Sequence, residues 1–209
     1  MTAGRSESGA GGSGSAGRVI AGTARGTRLV APGPGTRPFS DRVKQALFAI
    51  LEPKLRGGSV LDLFAGSGAG GIEALSRGAL AVTFVERDAG AIAVLRGNLE
   101  RTHLGGPSAT IVRADALGWL DRTVIDGSAR FSVVLLDPPY DRPDLLAGAL
   151  ELLGREGAVL APGALVVAKH FWRDAPPDQV GLLASVRTRR FGETTLTFYQ
   201  VAEGAEATR

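Results

Sequence analysis

The sequence predicts an α/β protein built on a doubly wound, mostly parallel sheet that ends in an antiparallel hairpin. Three observations carry this reading. From residue 59 onward, β-prone apolar runs alternate with helical patterns: SVLDLF (59–64), LAVTFVE (80–86), ATIVRA (109–114), FSVVLLD (131–137) and ALVVAKHF (164–171). The fourth run is apolar at consecutive positions, as expected for a strand covered on both faces. The stretch LASVRTRRFGETTLTFYQVA (183–202) is β-rich on either side of Gly192 and reads as a hairpin. Five runs and the hairpin predict a seven-stranded sheet whose terminal hairpin supplies one antiparallel edge strand.

In chain order, residues 1–17 are mostly Gly, Ser and Ala and lack the apolar bulk to fold, so they are expected to be disordered. Residues 18–36 hold two short β-prone pieces and the break PGPG, which predicts a small hairpin or arm. The main domain is expected over 37–203. Its first helix should start at Ser40, a capping residue followed by Asp41, present Val43, Leu47, Ile50 and Leu51 on one face, and end at Pro53. Further helices are expected from about Gly70 to Arg77, after the cap Asp88 to about Thr102, over Ala116–Leu120, and around Leu145–Leu153.

Composition limits the chemistry. The chain has 209 residues, 44% apolar and 22% charged, which is ordinary for a globular protein. It has no Cys and only two His, which excludes thiol nucleophiles, disulfide scaffolds and Cys-based metal centres and argues against any metal site. No apolar run is long enough for a bilayer and no signal-peptide pattern opens the chain, so a soluble, cytoplasmic protein is expected. Of the net charge of +3, residues 18–45 carry +5, leaving −2 elsewhere. A basic segment on a near-neutral body suits an anionic partner, most simply nucleic acid.

In a doubly wound sheet, ligands bind beyond the carboxyl ends of the strands. The first such end carries Asp62-Leu-Phe-Ala65-Gly66-Ser-Gly68-Ala-Gly70-Gly71, in which Gly66, Gly68 and Gly71 match G-x-G-x-x-G between a strand and a helix. Glu86 ends the second strand, twenty residues after Gly66, where a carboxylate can accept ribose hydroxyls. Asp115 follows the third strand and suits either an adenine contact or a helix cap. These features describe a site for an adenosine-bearing cofactor. Asp62, an acid beside the glycine loop, favours an ammonium group over a pyrophosphate, whose charge it would repel.

The fourth strand ends in Asp137-Pro138-Pro139-Tyr140. Two prolines fix φ and remove two N–H donors, leaving a rigid loop that offers carbonyl acceptors. Asp137 adds a carboxylate and Tyr140 an aromatic plate. The set suits a planar amine that donates to Asp137 and the Pro138 carbonyl while its ring stacks on Tyr140, with its lone pair directed at a methyl donor. This reading requires Asp137 to face the crevice and not to be consumed in a buried structural ion pair.

The combination of DLFAGSG, Glu86 and DPPY resembles the amino-methyltransferases that use S-adenosylmethionine. With RPFSDRVKQALFAIL (37–51) ahead of it, RVIAGTARGTRLVAP at the start and RRFGETTLTFYQV at the end, the chain resembles the RsmD-type 16S rRNA (guanine-N2)-methyltransferases over about residues 18–202. The resemblance implies a Rossmann-like class I methyltransferase fold. It implies that Arg37, Asp62, Ala65, Gly66 and Gly68 line the methionine end of the cofactor, Glu86 the ribose, Asp115 and Ala116 the adenine, and that Asp137, Pro138, Pro139 and Tyr140 are catalytic, with Asp137 also beside the cofactor. It further implies a monomer acting on 16S rRNA in the small ribosomal subunit, with Arg18, Arg25, Arg28, Arg187, Arg189 and Arg190 on phosphates and an arm over 18–31 that is mobile without RNA. Three other readings share parts of the pattern. Adenine-N6 or glutamine methylation keeps the tetrad's chemistry, a dinucleotide-dependent oxidoreductase explains only the glycines, and a non-catalytic RNA-binding module explains only the arginines.

Overall fold

The computed structural model describes residues 15–33, 40–126 and 130–202. In chain order it forms β1 (Ser15–Arg18), β2 (Arg28–Val30), α1 (Asp41–Leu55), β3 (Ser59–Asp62), α2 (Ala69–Ser76), β4 (Ala81–Glu86), α3 (Ala89–Thr102) and β5 (Ala109–Arg113). There follow α4 (Ala116–Asp126), β6 (Phe131–Leu136), α5 (Pro143–Leu153), β7 (Leu160–Phe171), β8 (Gln179–Val180), β9 (Leu183–Phe191) and β10 (Thr194–Val201).

The main sheet has the order β5-β4-β3-β6-β7-β10-β9-β8. Strands β3 to β7 are mutually parallel, and β10 runs antiparallel to both β7 and β9. Successive residues alternate between its two faces. Val60, Val133 and Val167 join one core with α1, α2 and α3, whereas Leu61, Val134 and Val166 join a second with α4 and α5. The helical layers on both faces explain why these strands read as unbroken apolar runs.

Four expectations are corrected. The sheet has eight strands, because the two-residue β8 adds a rung to β9. The antiparallel strand is not at the edge, since β10 lies between β7 and β9. Burial decides that order: Leu196, Phe198 and Tyr199 of β10 are inaccessible to solvent, while β9 is largely exposed. Helix α1 continues through Pro53 to Leu55; the missing Pro53 N–H forfeits one helical bond, and burial of Leu51 and Leu55 holds the last turn. Helix α4 extends past Leu120 to Asp126.

The N-terminal hairpin starts at Ser15, ahead of the expected start at Arg18; residues 1–14 lie outside the described residues. It is anchored rather than free. Ala16, Val19, Leu29 and Ala31 are buried in the core. Ile20 and Ala21 donate their backbone N–H groups to the Glu73 carboxylate at 2.7 and 3.1 Å, and Ala24 donates to Ser76 Oγ at 3.0 Å. Asn98 accepts from Val30 N and donates to both Val30 O and Ser67 O, at 2.9 Å each, so it ties β2 to the glycine loop. The Lys44 ammonium donates to the Arg18 carbonyl.

The third glycine of the motif is a packing residue. A Cβ on Gly71 would stand 2.2 Å from Phe84 Cε1 and 2.7 Å from Val82 Cγ1, both in β4. Gly71→Ala is expected to lower the free energy of unfolding by about 1–3 kcal/mol, the usual cost of forcing volume into a filled core. Urea denaturation with an unchanged midpoint would contradict that packing role.

Candidate active site

The carboxyl ends of β3, β4, β5 and β6 meet around one cavity of about 650 Å³. That lies within the usual size of a cofactor site. Its wall brings together Asp62, Ala65, Gly66, Glu86, Asp115, Ala116 and the whole tetrad Asp137–Tyr140. Ala16, Ala31 and Pro32 of the N-terminal hairpin close one side, a contribution the sequence analysis did not foresee. Gly68 is not among the lining residues. It caps α2 in the left-handed conformation (φ 79°), and a Cβ there would strike Leu95. Arg37 lies outside the described residues.

Each acid is held by the fold. Glu86 Oε2 accepts from Gly66 N at 2.9 Å, while its Oε1 accepts from Arg87 N and Asp88 N at 2.8 Å each. Gly66 has φ 52°, and a Cβ there would meet no protein atom within 4 Å, so its backbone can be approached closely by a ligand. Asp115 Oδ1 accepts from Gly118 N at 3.0 Å, so it caps α4 while also lining the cavity.

Asp62 is 4% exposed, at the end of the central strand, and its Oδ2 accepts from Gly71 N at 2.9 Å. Burial pushes its pKa up to about 7; the negative charges of Asp137 and Glu86 add to the rise, against the Gly71 hydrogen bond. A buried carboxyl in this state is suited to a cationic ligand group, which would restore its ionised form.

The tetrad differs from expectation in one respect. Asp137 is paired with Lys169, whose Nζ donates to Oδ1 and Oδ2 at 2.7 and 2.9 Å. The pair does not withdraw Asp137 from the cavity: both residues line it, and the Asp137 side chain keeps 26% of its exposure. Lys169 is almost buried. Burial works against its charge, but the Asp137 carboxylate and Tyr140 outweigh it and raise its pKa. Its ammonium also stands 5.2 Å from the centre of the Tyr140 ring, and the Tyr140 hydroxyl is 3.0 Å from Thr194 Oγ1. Asp137 is therefore fixed from β7, and Tyr140 from both β7 and β10.

Lys169 was missed in the sequence because the register of β6 on β7 decides what faces Asp137. The available signal was a charge inside an otherwise apolar strand, which requires a partner. Of the two histidines, His103 ends α3, and His170 is bound to Thr197 Oγ1 at 2.9 Å within the terminal sheet.

The predicted arginines do not form one cluster. Arg18, Arg25 and Arg28 are exposed on the N-terminal hairpin, with Arg18 paired to Asp41 at 2.9 Å. Strand alternation sets Arg187 and Arg189 on one face of β9 and Arg190 on the other.

The order of the parallel strands, the antiparallel β10 and a site at the strand ends define a methyltransferase fold. The chain belongs to the ribosomal RNA small subunit methyltransferase D family: the family model described as "Conserved hypothetical protein 95" matches residues 17–200. YlbH of Bacillus subtilis strain 168 is 38% identical over 187 residues, 88% of this chain and 98% of its own length. The ribosomal RNA small subunit methyltransferase D of Escherichia coli K12 is 35% identical over 184 residues, 88% of this chain and 89% of its own. Among solved structures, the Escherichia coli protein yhhF superposes with a TM-score of 0.74 at 31% identity, covering 90% of this chain and 98% of that one. Among the described residues, no helix is long and apolar enough to cross a membrane.

Proposed function

We propose that this protein methylates the exocyclic N2 of one guanine in 16S rRNA, in the assembled small ribosomal subunit, with S-adenosylmethionine as donor. The observation that carries the proposal is that Asp137–Tyr140 opens into the same cavity as Asp62, Gly66 and Glu86. The residues present fit the donor: Asp62 offers a buried acid to its ammonium, Gly66 an unobstructed backbone, Glu86 a carboxylate to its ribose, and Asp115 and Ala116 a wall for its adenine. When bound, S-adenosylmethionine supplies a methyl group on a positively charged sulfur. The protein's own part is to hold the acceptor. The target amine donates to Asp137 and to the Pro138 carbonyl, and its ring stacks on Tyr140, which Thr194 and Lys169 keep in position. Lys169 keeps the Asp137 carboxylate oriented, and Asp137 is the neighbouring acceptor for the proton that the amine sheds. A guanine inside a duplex cannot enter such a pocket, so it must be unpaired or flipped out. The exposed Arg25 and Arg28 of the hairpin, with Arg187 and Arg189 of β9, would meet phosphates and make binding salt-dependent. The related family member's name, ribosomal RNA small subunit methyltransferase D, supports the choice of RNA.

The test is transfer of labelled methyl to small subunits lacking the modification, followed by mapping of the labelled nucleotide, with duplex DNA and peptide as competing substrates. One labelled guanine N2 in 16S rRNA is expected. No label in the particles, or preferential label in DNA or peptide, would overturn the proposal.

Asp62 adds a pH dependence. Its pKa is about 7 in the fold against 3.8 for an ordinary aspartate. Between those values the unfolded chain gives up the proton and the folded chain keeps it, so this group's contribution to stability falls as pH rises through the window. Binding a cationic ammonium favours the ionised form. The affinity for S-adenosylhomocysteine should therefore rise from about pH 5 to about pH 7 and then level, with proton release on binding below pH 7. Calorimetry in buffers of different ionisation enthalpy measures that release; Asp62→Asn should abolish it, and a release that persists would refute the assignment.

A further inference from the structure

Beyond the tetrad, the aromatic surface continues. Tyr140 is followed by Phe171 at 6.5 Å between ring centres, tilted 54°, and Phe171 by Trp172 at 6.1 Å, tilted 50°. Trp172 stands just past the end of β7, partly exposed, with its backbone N–H bound to the Glu193 carbonyl at 3.0 Å. Two guanidinium groups attend its ring: the Arg190 carbon lies 4.1 Å from its centre and the Arg173 carbon 4.7 Å. Arg190 is held there by a 2.9 Å bond from its Nε to the Gly192 carbonyl. Strand alternation, which parts Arg190 from Arg187 and Arg189, thus leaves it on the face where Trp172 stands.

A row of aromatic plates flanked by guanidinium groups is how proteins bind unpaired nucleotides: bases stack on rings or on the guanidinium planes, and the cations meet the backbone. The three rings are tilted against one another by 54° and 50°, so they cannot carry the parallel stack of a helix and suit unpaired bases taken singly. The row starts at Tyr140, where the target base is held in the proposed function, and all three rings are partly exposed.

We propose that Trp172, together with Arg173 and Arg190, is a second nucleobase site that stacks an unpaired nucleotide flanking the target base. The inference rests on the RNA substrate proposed above, but its test does not require methyl transfer. The chain has two tryptophans, so in a Trp119→Phe background Trp172 is the sole indole emitter. Titration with a single-stranded RNA hexamer should quench that emission, and a duplex of the same length should not. Trp172→Ala should weaken hexamer binding about tenfold, within the usual worth of a base–aromatic stack, and raise KM for small subunits by a similar factor while kcat changes less than twofold. Trp172→Phe should recover most of the loss, which a purely structural defect would not, and Arg190→Gln should weaken binding and flatten its salt dependence. Stabilisation by S-adenosylhomocysteine serves as the folding control for each variant. Absence of quenching, equal binding of duplex, or an affinity unchanged in Trp172→Ala would overturn the second site. If small subunits accept no methyl group while the hexamer still quenches Trp172, the proposed function fails and the site stands. If Trp172→Ala methylates particles with unchanged KM, the site falls and the function stands.

Discussion

Asp137→Asn is expected to lower the rate of methyl transfer by about 10²–10⁴-fold, the scale on which removal of a directed charge or proton acceptor acts in an active site. The asparagine keeps the shape of the side chain but loses one acceptor and the charge that Lys169 grips at 2.7 and 2.9 Å. The amine of the target base would be held less firmly, with no carboxylate to receive its proton. Affinity for S-adenosylhomocysteine should stay within a few-fold of the wild type, because Asp62, Gly66 and Glu86 are untouched. Asp137→Ala is the poorer probe. It strands the nearly buried Lys169 ammonium without its partner, so a loss of stability would be mixed with any loss of activity. Single-turnover assays of the asparagine variant, with cofactor binding measured separately, divide chemistry from binding. Full activity in Asp137→Asn would remove Asp137 from the mechanism.

Glu73→Ala is expected to cost about 3–5 kcal/mol of stability, the loss associated with breaking a buried charge pair. The Glu73 side chain is inaccessible to solvent, pairs with Arg77 at 2.7 Å, and accepts from Ile20 N and Ala21 N in the N-terminal hairpin. Its negative charge also opposes the lowering of the buried Lys44 pKa, which burial drives. Removing it leaves two cations short of a partner and two backbone N–H groups unpaired. The hairpin should loosen first. Hydrogen exchange at Ile20 and Ala21 would quicken more than exchange in β3 or β6, and cofactor affinity would drop, since Ala16, Ala31 and Pro32 close the cavity. A loss below about 1 kcal/mol in urea unfolding, or unchanged exchange at both amides, would show that Glu73 does not hold the hairpin.

These two residues mark the boundary of what the sequence reveals. The acids and glycines at strand ends are legible because a strand–loop–helix pattern fixes where they fall: Gly66, Glu86, Asp115 and Asp137 all arrive at the cavity in the order of their strands. The Asp88 cap is legible for the same local reason, and its side chain accepts from Ala91 N at 2.7 Å. Contacts set by register or by distant packing are not. Lys169 meets Asp137 only because β6 pairs with β7 so that Leu136 lies beside Ala168. Glu73, Ser76 and Asn98 sit in ordinary helical patterns, and nothing nearby in the chain announces that they grip a hairpin more than fifty residues away. The basic hairpin suggested a free arm because its charge is visible in the sequence and its anchors are not. Sheet order was misjudged at β10 because both strands of the terminal hairpin are β-prone, and only their apolar content separates the inner strand from the outer one.

The most direct test is a crystal structure with S-adenosylhomocysteine bound. Its ammonium is expected on Asp62, its ribose hydroxyls on Glu86, its adenine against Asp115 and Ala116, and its sulfur turned toward Asp137 and Tyr140. A ligand seated with its sulfur away from that pair, or bound outside this cavity, would contradict that placement.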